Sequence, residues 1–255
     1  MRRPLVILLA LLVAIPMLAP LAWVLAASVG LTRPDDGAPT LGAFARLLRD
    51  EHVGTWLLNS VAVAGTQALG AMLLCSLGGY ALAAHQFRGR RIVIGLLVTT
   101  ALLPGPVAVA GLFEVVLAMG GLNRLWAVIL PGAFSVFGLF LFAAAYRSVS
   151  TSTIEAARLD GCSEPRLWWS IAHPQVAATS AAFLLLHFLG AWNALLWPAT
   201  VLVGEERQTL PVGLSNLAKT VDFEADPSLT AAAVVLSILP PMLLFALAGR
   251  DLLRR

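Results

Sequence analysis

The side chains that most often carry out covalent chemistry are few in this 255-residue sequence, and they are scattered. No glycine-rich GxxxxGK[ST] loop occurs to bind a nucleotide phosphate, and the only lysine is Lys219. The histidines and cysteines lack the spacing of a metal site or a disulfide framework, and lie at His52, His85, His173, His187, Cys75 and Cys162. The sequence therefore predicts a chain that is not an enzyme and holds no metal or cofactor of its own.

One polar stretch, from Ser152 to Pro174, has the chemistry of a docking element. Ser152 and Glu155 have the spacing of a capping box, in which each side chain bonds the backbone N–H of the other residue. Gly161 can adopt the left-handed conformation that ends a helix. Ser163 can then begin a second helix, which we expect to run into the apolar segment after Pro174. The pattern predicts a short helix, a tight turn and a second helix.

The elements that must position this stretch are membrane helices. The sequence is 59% hydrophobic and 12% charged, against roughly 45–50% and 25% in soluble domains. Six apolar runs approach the ~20 residues that cross a bilayer. They cover residues 5–29, 56–84, 92–112, 125–146, 175–197 and 229–249. Only the third run contains a clear break, at Pro104-Gly105-Pro106. We expect a single all-α transmembrane domain over residues 1–255, with six transmembrane helices.

The distribution of arginine and lysine orients these helices. The two termini and the loops 85–91 and 147–174 carry eleven of these residues, and the other three loops carry six. Because cytoplasmic loops carry the excess of positive residues, both termini and the loop 147–174 are predicted to be cytoplasmic.

Amides and an imidazole within the apolar runs are the candidates for contact with a solute. Burying polar groups in lipid is costly, so Asn59, Gln67, His187 and Asn193 should face the bundle interior or a water-filled cavity. In the interior they would hydrogen-bond neighbouring helices, and in a cavity they would contact a polar solute. Amides hydrogen-bond hydroxyl groups and indoles cover sugar rings, which suits a neutral, hydroxylated solute. Asn59, Trp192 and Asn193 are therefore the predicted solute-pathway residues.

The loop 147–174 also carries a recognisable motif. Its residues resemble the EAA loop of importer-type ABC permeases, in the form typical of the carbohydrate branch, with Glu155-Ala156-Ala157, Asp160-Gly161, Trp168, Ile171 and Pro174 at the expected offsets. Four other segments agree with that family in order and spacing: Trp56-Leu57-Leu58-Asn59-Ser60, Gly79-Tyr80-Ala81-Leu82-Ala83, Trp192-Asn193 with Pro198, and Thr209-Leu210-Pro211-Val212-Gly213-Leu214. The likeness is to the smaller permease of a maltose-type sugar importer.

This resemblance implies a bacterial inner-membrane subunit that forms half of a transport pathway. A second homologous permease, two ATPase subunits and an extracytoplasmic solute-binding protein would be its partners, in a lipid membrane and without nucleic acid. ATP and Mg²⁺ would be bound by the ATPase subunits. The loop would be the coupling helix between spans four and five, with Glu155 as the first contact to the ATPase and Ala156, Ala157, Arg158, Asp160 and Gly161 around it.

Other interpretations of the sequence remain open. Glu155 and Asp160 could serve only the local cap and turn. The solute could be a glycerol-phosphate compound or another polar metabolite, although no Arg or Lys lies deep in a predicted span. A proton-coupled secondary transporter would use His187 and Glu114 as its relay and would need no ATPase. An intramembrane enzyme is disfavoured because no paired catalytic groups occur.

Overall fold

The computed structural model of the protein describes residues 2–31, 40–49, 52–220 and 226–252. Within those residues the regular secondary structure is helical, with no strand. The helices are α1 (Arg2–Ser28), α2 (Gly42–Arg49), α3 (Val53–Ala84), α4 (Arg90–Ala101), α5 (Gly105–Ala118), α6 (Leu125–Gly132), α7 (Val136–Arg147), α8 (Thr151–Leu159), α9 (Glu164–Gln175), α10 (Ala177–Trp192), α11 (Leu196–Val201), α12 (Leu210–Leu217) and α13 (Pro227–Leu252). A short 3-10 turn, Glu205–Arg207, lies between α11 and α12.

Helix α3 is the centre of the bundle. It packs along α7 and α10, and its N-terminal half also touches α6 and α12. Glycines allow the close approach: a Cβ at Gly79 would lie 2.6 Å from Phe142 Cβ, and one at Gly138 would lie 2.5 Å from the Phe183 ring. Small residues at such crossings let membrane helices gain van der Waals contact where lipid gives no hydrophobic drive for association. The residues around these crossings are buried, which fixes α7 and α10 against α3.

Two of the described helices are long and apolar enough to cross a membrane, Val53–Ala84 and Pro227–Ala246. Three further pairs reach that length only together, and each is bent: α4 and α5 by 103°, α6 and α7 by 41°, and α9 and α10 by 84°. Up to five spans result if each pair is one span, and Ala14–Ser28 is a shorter apolar helix. The second and sixth predicted apolar runs are thus long helices, as expected.

The predicted break at Pro104-Gly105-Pro106 is confirmed, because α4 ends at Ala101 and α5 begins at Gly105. The expectation that only this span is broken is wrong. Between α6 and α7, Ser135 is extended and its Oγ accepts a hydrogen bond from the Gly138 backbone N–H at 3.1 Å. A new N-cap therefore restarts the helix. Between α9 and α10, the break falls at the buried Val176.

Candidate functional site

The helix predicted from the polar loop is present as α8, but its start differs from the prediction. Helix α8 begins at Thr151, with Ser150 at the N-cap and no side-chain cap hydrogen bond. The Ser152 hydroxyl instead lies 2.7 Å from the Ser150 hydroxyl. The predicted capping box between Ser152 and Glu155 is therefore wrong, because both residues already lie inside the helix. The carboxylate of Glu155 is exposed and is not held by that cap.

The end of α8 agrees with the prediction. Gly161 has φ +78°, in the left-handed region. The Gly161 N–H donates to the Arg158 carbonyl at 3.0 Å and the Cys162 N–H donates to the Ala157 carbonyl at 3.0 Å. These are the two hydrogen bonds of a Schellman motif, which satisfies carbonyls that the helix end would leave unpaired. Gly161 thus reverses the chain within one turn and presents the end of α8 at the surface.

The two faces of α8 have different environments. Ala157 is buried, and Ile154 packs with it against an apolar cluster that includes Tyr80 and Tyr146. On the opposite face, Glu155 and Ala156 are exposed. The face that the motif predicts for ATPase contact is therefore solvent-accessible in this chain.

Leu159 is a feature of this face that the sequence reasoning missed. Its side chain is 89% exposed at the last residue of α8, beside the exposed Asp160. Because burying a leucine is worth about 1.5–3 kcal/mol, a leucine held this far into solvent is suited to contact with another protein. The signal in the sequence was a leucine between two charged residues, Arg158 and Asp160, directly before the turn at Gly161.

Arg158, also predicted to face the partner, is bound within the chain. Its Nε donates to Glu164 Oε1 at 2.7 Å. The Tyr80 hydroxyl donates to Glu164 Oε2 at 2.9 Å, and His85 Nε2 lies 3.4 Å from that oxygen. The hydrogen bond from Arg158 holds the pKa of the Glu164 carboxyl below its usual range. Local sequence patterns gave no sign of this group, because Tyr80 and Glu164 are 84 residues apart in the chain.

A second polar group, the Ser76 cluster (Ser76, Tyr146, Trp168 and His173), anchors α9. The hydroxyl oxygens of Ser76 and Tyr146 are 2.6 Å apart, and they lie 3.1 and 3.2 Å from His173 Nδ1. Trp168 Nε1 donates to the Tyr146 hydroxyl at 3.0 Å. The backbone over Trp168–Ala172 is a π-helical segment, a feature often found at functional sites. The cluster therefore binds α9 to α3 and α7.

The second helix leads into span five as predicted, but the path is sharply bent. Helices α9 and α10 meet at 84° across Val176. Pro174 lies two residues before the break and lacks the backbone N–H of a continuous helix, and Val176 itself is 4% exposed in the same apolar cluster as Phe183. A push on α8 is therefore not directed along the axis of α10.

On the side of the bundle opposite α8, the predicted pathway residue Asn59 binds a loop. Its Nδ2 donates to the carbonyls of Glu206 and Gln208 at 3.0 and 2.9 Å. Trp56 Nε1 donates to the Glu205 carbonyl at 2.7 Å on the same face of α3. Asn59 therefore holds the segment between α11 and α12 against α3.

The other two predicted pathway residues differ in exposure. Trp192 is 2% exposed, and its Nε1 donates to the Ser237 carbonyl at 3.0 Å, which joins α10 to α13. Asn193 is exposed, and its Nδ2 donates to the Leu189 carbonyl at 2.9 Å. Asn193 lines a cavity of about 430 Å³ between α10, α12 and α13, together with Ser215, Thr230 and Ser237.

A further cavity, of about 390 Å³, is lined by Gln67 and His187. His187 Nε2 lies 2.8 Å from the Gly132 carbonyl oxygen, and its ring stacks on Phe183. Glu114, the other member of the predicted proton relay, is exposed on α5 and does not line this cavity. Among the described residues, no group of three or more His, Cys, Asp or Glu could hold a metal ion.

Comparison with known proteins places this geometry among transport proteins. Residues 2–254 match the family described as binding-protein-dependent transport system inner membrane component. The arabinooligosaccharides transport system permease protein AraQ of Halalkalibacterium halodurans is 31% identical over 191 residues, which are 75% of this chain and 68% of that protein. The sn-glycerol-3-phosphate transport system permease protein UgpE of Yersinia pestis bv. Antiqua is 27% identical, over 79% of this chain and 72% of that protein.

Among solved structures, a chain of a bacterial ABC transporter involved in the import of the acidic polysaccharide alginate has the same fold. It superposes with a TM-score of 0.86 and covers 97% of this chain and 96% of its own length, at 22% identity.

Proposed function

This chain belongs to the binding-protein-dependent transport system inner membrane components, and from that premise we propose that it is a permease subunit of an ATP-driven ABC importer for a sugar or a related polar solute. A single observation carries the proposal. The loop between α7 and α9 is a well-formed helix whose inner face is buried and whose outer face exposes Glu155, Ala156 and Leu159 beside the tight turn at Gly161. Such a face is suited to dock in a cleft of another protein.

The partner of this face is an ATPase subunit that binds and hydrolyses ATP with Mg²⁺. The small side chain of Ala156 lets the partner approach the helix, whereas Ala157 faces the chain's own apolar cluster. Leu159 and Asp160 give the partner one apolar and one charged contact. Two such ATPase subunits serve this chain and a second, homologous permease. Alternating access follows if ATP and solute bind the inward- and outward-facing states unequally.

In the membrane, the chain crosses six times with both termini in the cytoplasm of a bacterium. Helices α1, α3 and α13 are single spans, and the bent pairs α4–α5, α6–α7 and α9–α10 each complete one more. The positive residues of the loops 85–91 and 147–174 support this orientation. The segment that Asn59 holds between α11 and α12 then faces outward, where an extracytoplasmic solute-binding protein delivers the solute.

The solute pathway includes the cavity at Asn193, whose lining is otherwise apolar or hydroxyl-bearing and includes no Arg or Lys. Asn193 lines this cavity, while Asn59 and Trp192 position the outer loop and helix α13. A neutral, hydroxylated solute such as an oligosaccharide fits these groups, in agreement with the AraQ relative. A glycerol-phosphate compound is the second candidate, because the UgpE relative belongs to such a system.

The test compares two faces of one chain. A tagged copy is purified from its own membranes with the subunits that accompany it. Glu155→Lys places a positive charge on the exposed face of α8 and is expected to remove the ATPase subunits and abolish uptake. Glu206→Lys makes the same charge change on an exposed residue across the bundle, and should retain the ATPase subunits. Retention of the ATPase subunits and of uptake in Glu155→Lys contradicts the proposal.

The class of solute is tested on the same complex, in lipid vesicles. ATP hydrolysis is measured with neutral oligosaccharides and with sn-glycerol-3-phosphate, each in the presence of the binding protein. Stimulation by an oligosaccharide alone supports the sugar class, and stimulation by the phosphate compound alone supports the second candidate.

A further inference from the structure

A movement of the exposed face of α8 must reach the membrane helices through contacts other than the peptide backbone. The peptide continues from α9 to α10 through a π-helical segment and an 84° bend. A displacement of α8 therefore changes direction before it reaches α10. A noncovalent connection to another span would transmit the displacement more directly.

Glu164 makes such a connection with both of its carboxylate oxygens. Oε1 accepts from Arg158 Nε of α8 at 2.7 Å, and Oε2 accepts from the Tyr80 hydroxyl of α3 at 2.9 Å. His85, which follows the last residue of α3, approaches Oε2 to 3.4 Å. We name these four residues the Glu164 clamp. One carboxylate thus joins the end of α8, the start of α9 and the cytoplasmic end of α3.

The geometry of the clamp is fixed from the α3 side. Tyr80 is 4% exposed, and its ring packs edge-on against Tyr146 with ring centroids 5.5 Å apart. Its hydroxyl therefore reaches a half-buried carboxylate from a ring that cannot move freely. Beneath the clamp, Ala157 and Ile154 of α8 belong to the same apolar cluster as Tyr80. Polar and apolar contacts thus hold α8 on the same end of α3.

We propose that Glu164 is a positioning residue that makes α8 and the cytoplasmic end of α3 move as one unit when the ATPase acts on the coupling loop. This inference rests on the proposed function, because the ATPase is what would move α8. The clamp itself is a property of the isolated chain. It also assigns Arg158 to an internal contact. Helix α3 packs along α7 and α10, so a movement of its end reaches the centre of the bundle.

The first measurement uses the purified chain in lipid nanodiscs, without any partner. Amide hydrogen exchange is followed over residues 151–163 in wild type, Tyr80→Phe, Glu164→Ala and the double variant. Loss of one such hydrogen bond should accelerate exchange about three- to tenfold. Tyr80→Phe and Glu164→Ala should each do so, and the double variant should exchange no faster than Glu164→Ala, because both changes break the same connection.

Tyr146→Phe is the matched control for this measurement, since Tyr146 is the only other tyrosine in the chain. Its hydroxyl bonds Ser76 and Trp168 and makes no hydrogen bond to Glu164. It should accelerate exchange over residues 151–163 less than Tyr80→Phe does, because the hydrogen bond between Tyr80 and Glu164 is kept. Wild-type exchange in Tyr80→Phe, or effects of Tyr80→Phe and Glu164→Ala that multiply in the double variant, overturns the clamp.

The second measurement uses the assembled importer and counts ATP molecules hydrolysed per solute imported. A residue with only a structural role would lower assembly without changing this ratio. Tyr80→Phe should raise the ratio severalfold while the ATPase subunits remain bound. If the wild-type importer takes up solute with ATP, and Tyr80→Phe hydrolyses the same number of ATP molecules per solute as wild type, the positioning role is refuted and the proposed function stands. If wild type shows no ATP-driven uptake, the proposed function fails, and with it the coupling role, whatever the exchange rates.

Discussion

The turn at Gly161 gives the sharpest test of the loop's shape. Gly161 has φ +78°, and a Cβ added there would meet no heavy atom within 4 Å. Gly161→Ala therefore adds no steric clash, and its cost is the left-handed backbone alone, about 1–2 kcal/mol for an L-residue. The lower entropy of the unfolded chain offsets about 0.4–1 kcal/mol of that cost. A net loss of roughly 1 kcal/mol remains, which is about a fivefold change in a local equilibrium.

The assay is amide hydrogen exchange at the end of α8, where the Cys162 N–H donates to the Ala157 carbonyl. Gly161→Ala should accelerate exchange there about fivefold, and in the assembled importer it should lower the solute imported per ATP. Gly95→Ala is the first control. Gly95 lies inside α4 with nothing within 4 Å of a Cβ, so alanine should stabilise that helix by about 0.5–1 kcal/mol.

Gly89→Ala is the second control, because Gly89 also has a positive φ, +86°, with open space around a Cβ. It carries the same backbone strain in a turn before α4. It should destabilise the chain as Gly161→Ala does and leave the solute imported per ATP unchanged. Wild-type exchange and coupling in Gly161→Ala, or equal loss of coupling in Gly89→Ala, would refute the reasoning.

Three further predictions concern the docking face, the contact between α12 and α3, and the Glu164 clamp. Leu159→Ser should leave the unfolding temperature of the isolated chain unchanged, because the Leu159 side chain is 89% exposed. It should weaken binding of the ATPase subunit at least tenfold in a titration, because burying a leucine is worth about 1.5–3 kcal/mol. An unaltered affinity argues against a contact at Leu159. Gly213→Ala forces a Cβ into the Trp56 ring and should destabilise the chain by about 1–3 kcal/mol. Gly54→Ala is the control, because a Cβ at Gly54 meets open space. Equal melting temperatures for the two variants would show that Gly213 and Trp56 are not in tight contact. Arg158 lowers the pKa of the Glu164 carboxyl, so the pair stabilises the fold at neutral pH and loses that effect as pH falls through the lowered pKa. The difference in melting temperature between wild type and Glu164→Gln should therefore be small at pH 7, since the pair is partly exposed, and smaller still in acid; a difference that grows on acidification contradicts the assigned pair.

The apolar runs predicted the helices because twenty apolar residues specify a membrane helix almost without tertiary context. Pro104 also predicted its break, since proline removes a backbone donor wherever it lies. The bend at Val176 lies two residues after Pro174, which is a local signal of the same kind, but the angle of the bend has no such signal. It depends on the burial of Val176 and on the Ser76 cluster, whose members come from three helices.

The loop shows the same division between local and long-range causes. The turn at Gly161 was predicted because only glycine adopts that conformation readily. The capping box failed because Ser150 and Ser152 are both suitable cap residues, and the observed helix begins after the first of them. The Glu164 clamp joins residues 84 positions apart, so composition and local spacing could not predict it.

The measurement that tests the central claim most directly is uptake by the complex that copurifies with a tagged copy of this chain, reconstituted in lipid vesicles. Labelled solute and binding protein are placed outside, with ATP and Mg²⁺ or no nucleotide inside. The account predicts uptake only with ATP and binding protein together, and its loss in Glu155→Lys. Uptake driven by a proton gradient without nucleotide, unchanged by Glu155→Lys, would contradict the account.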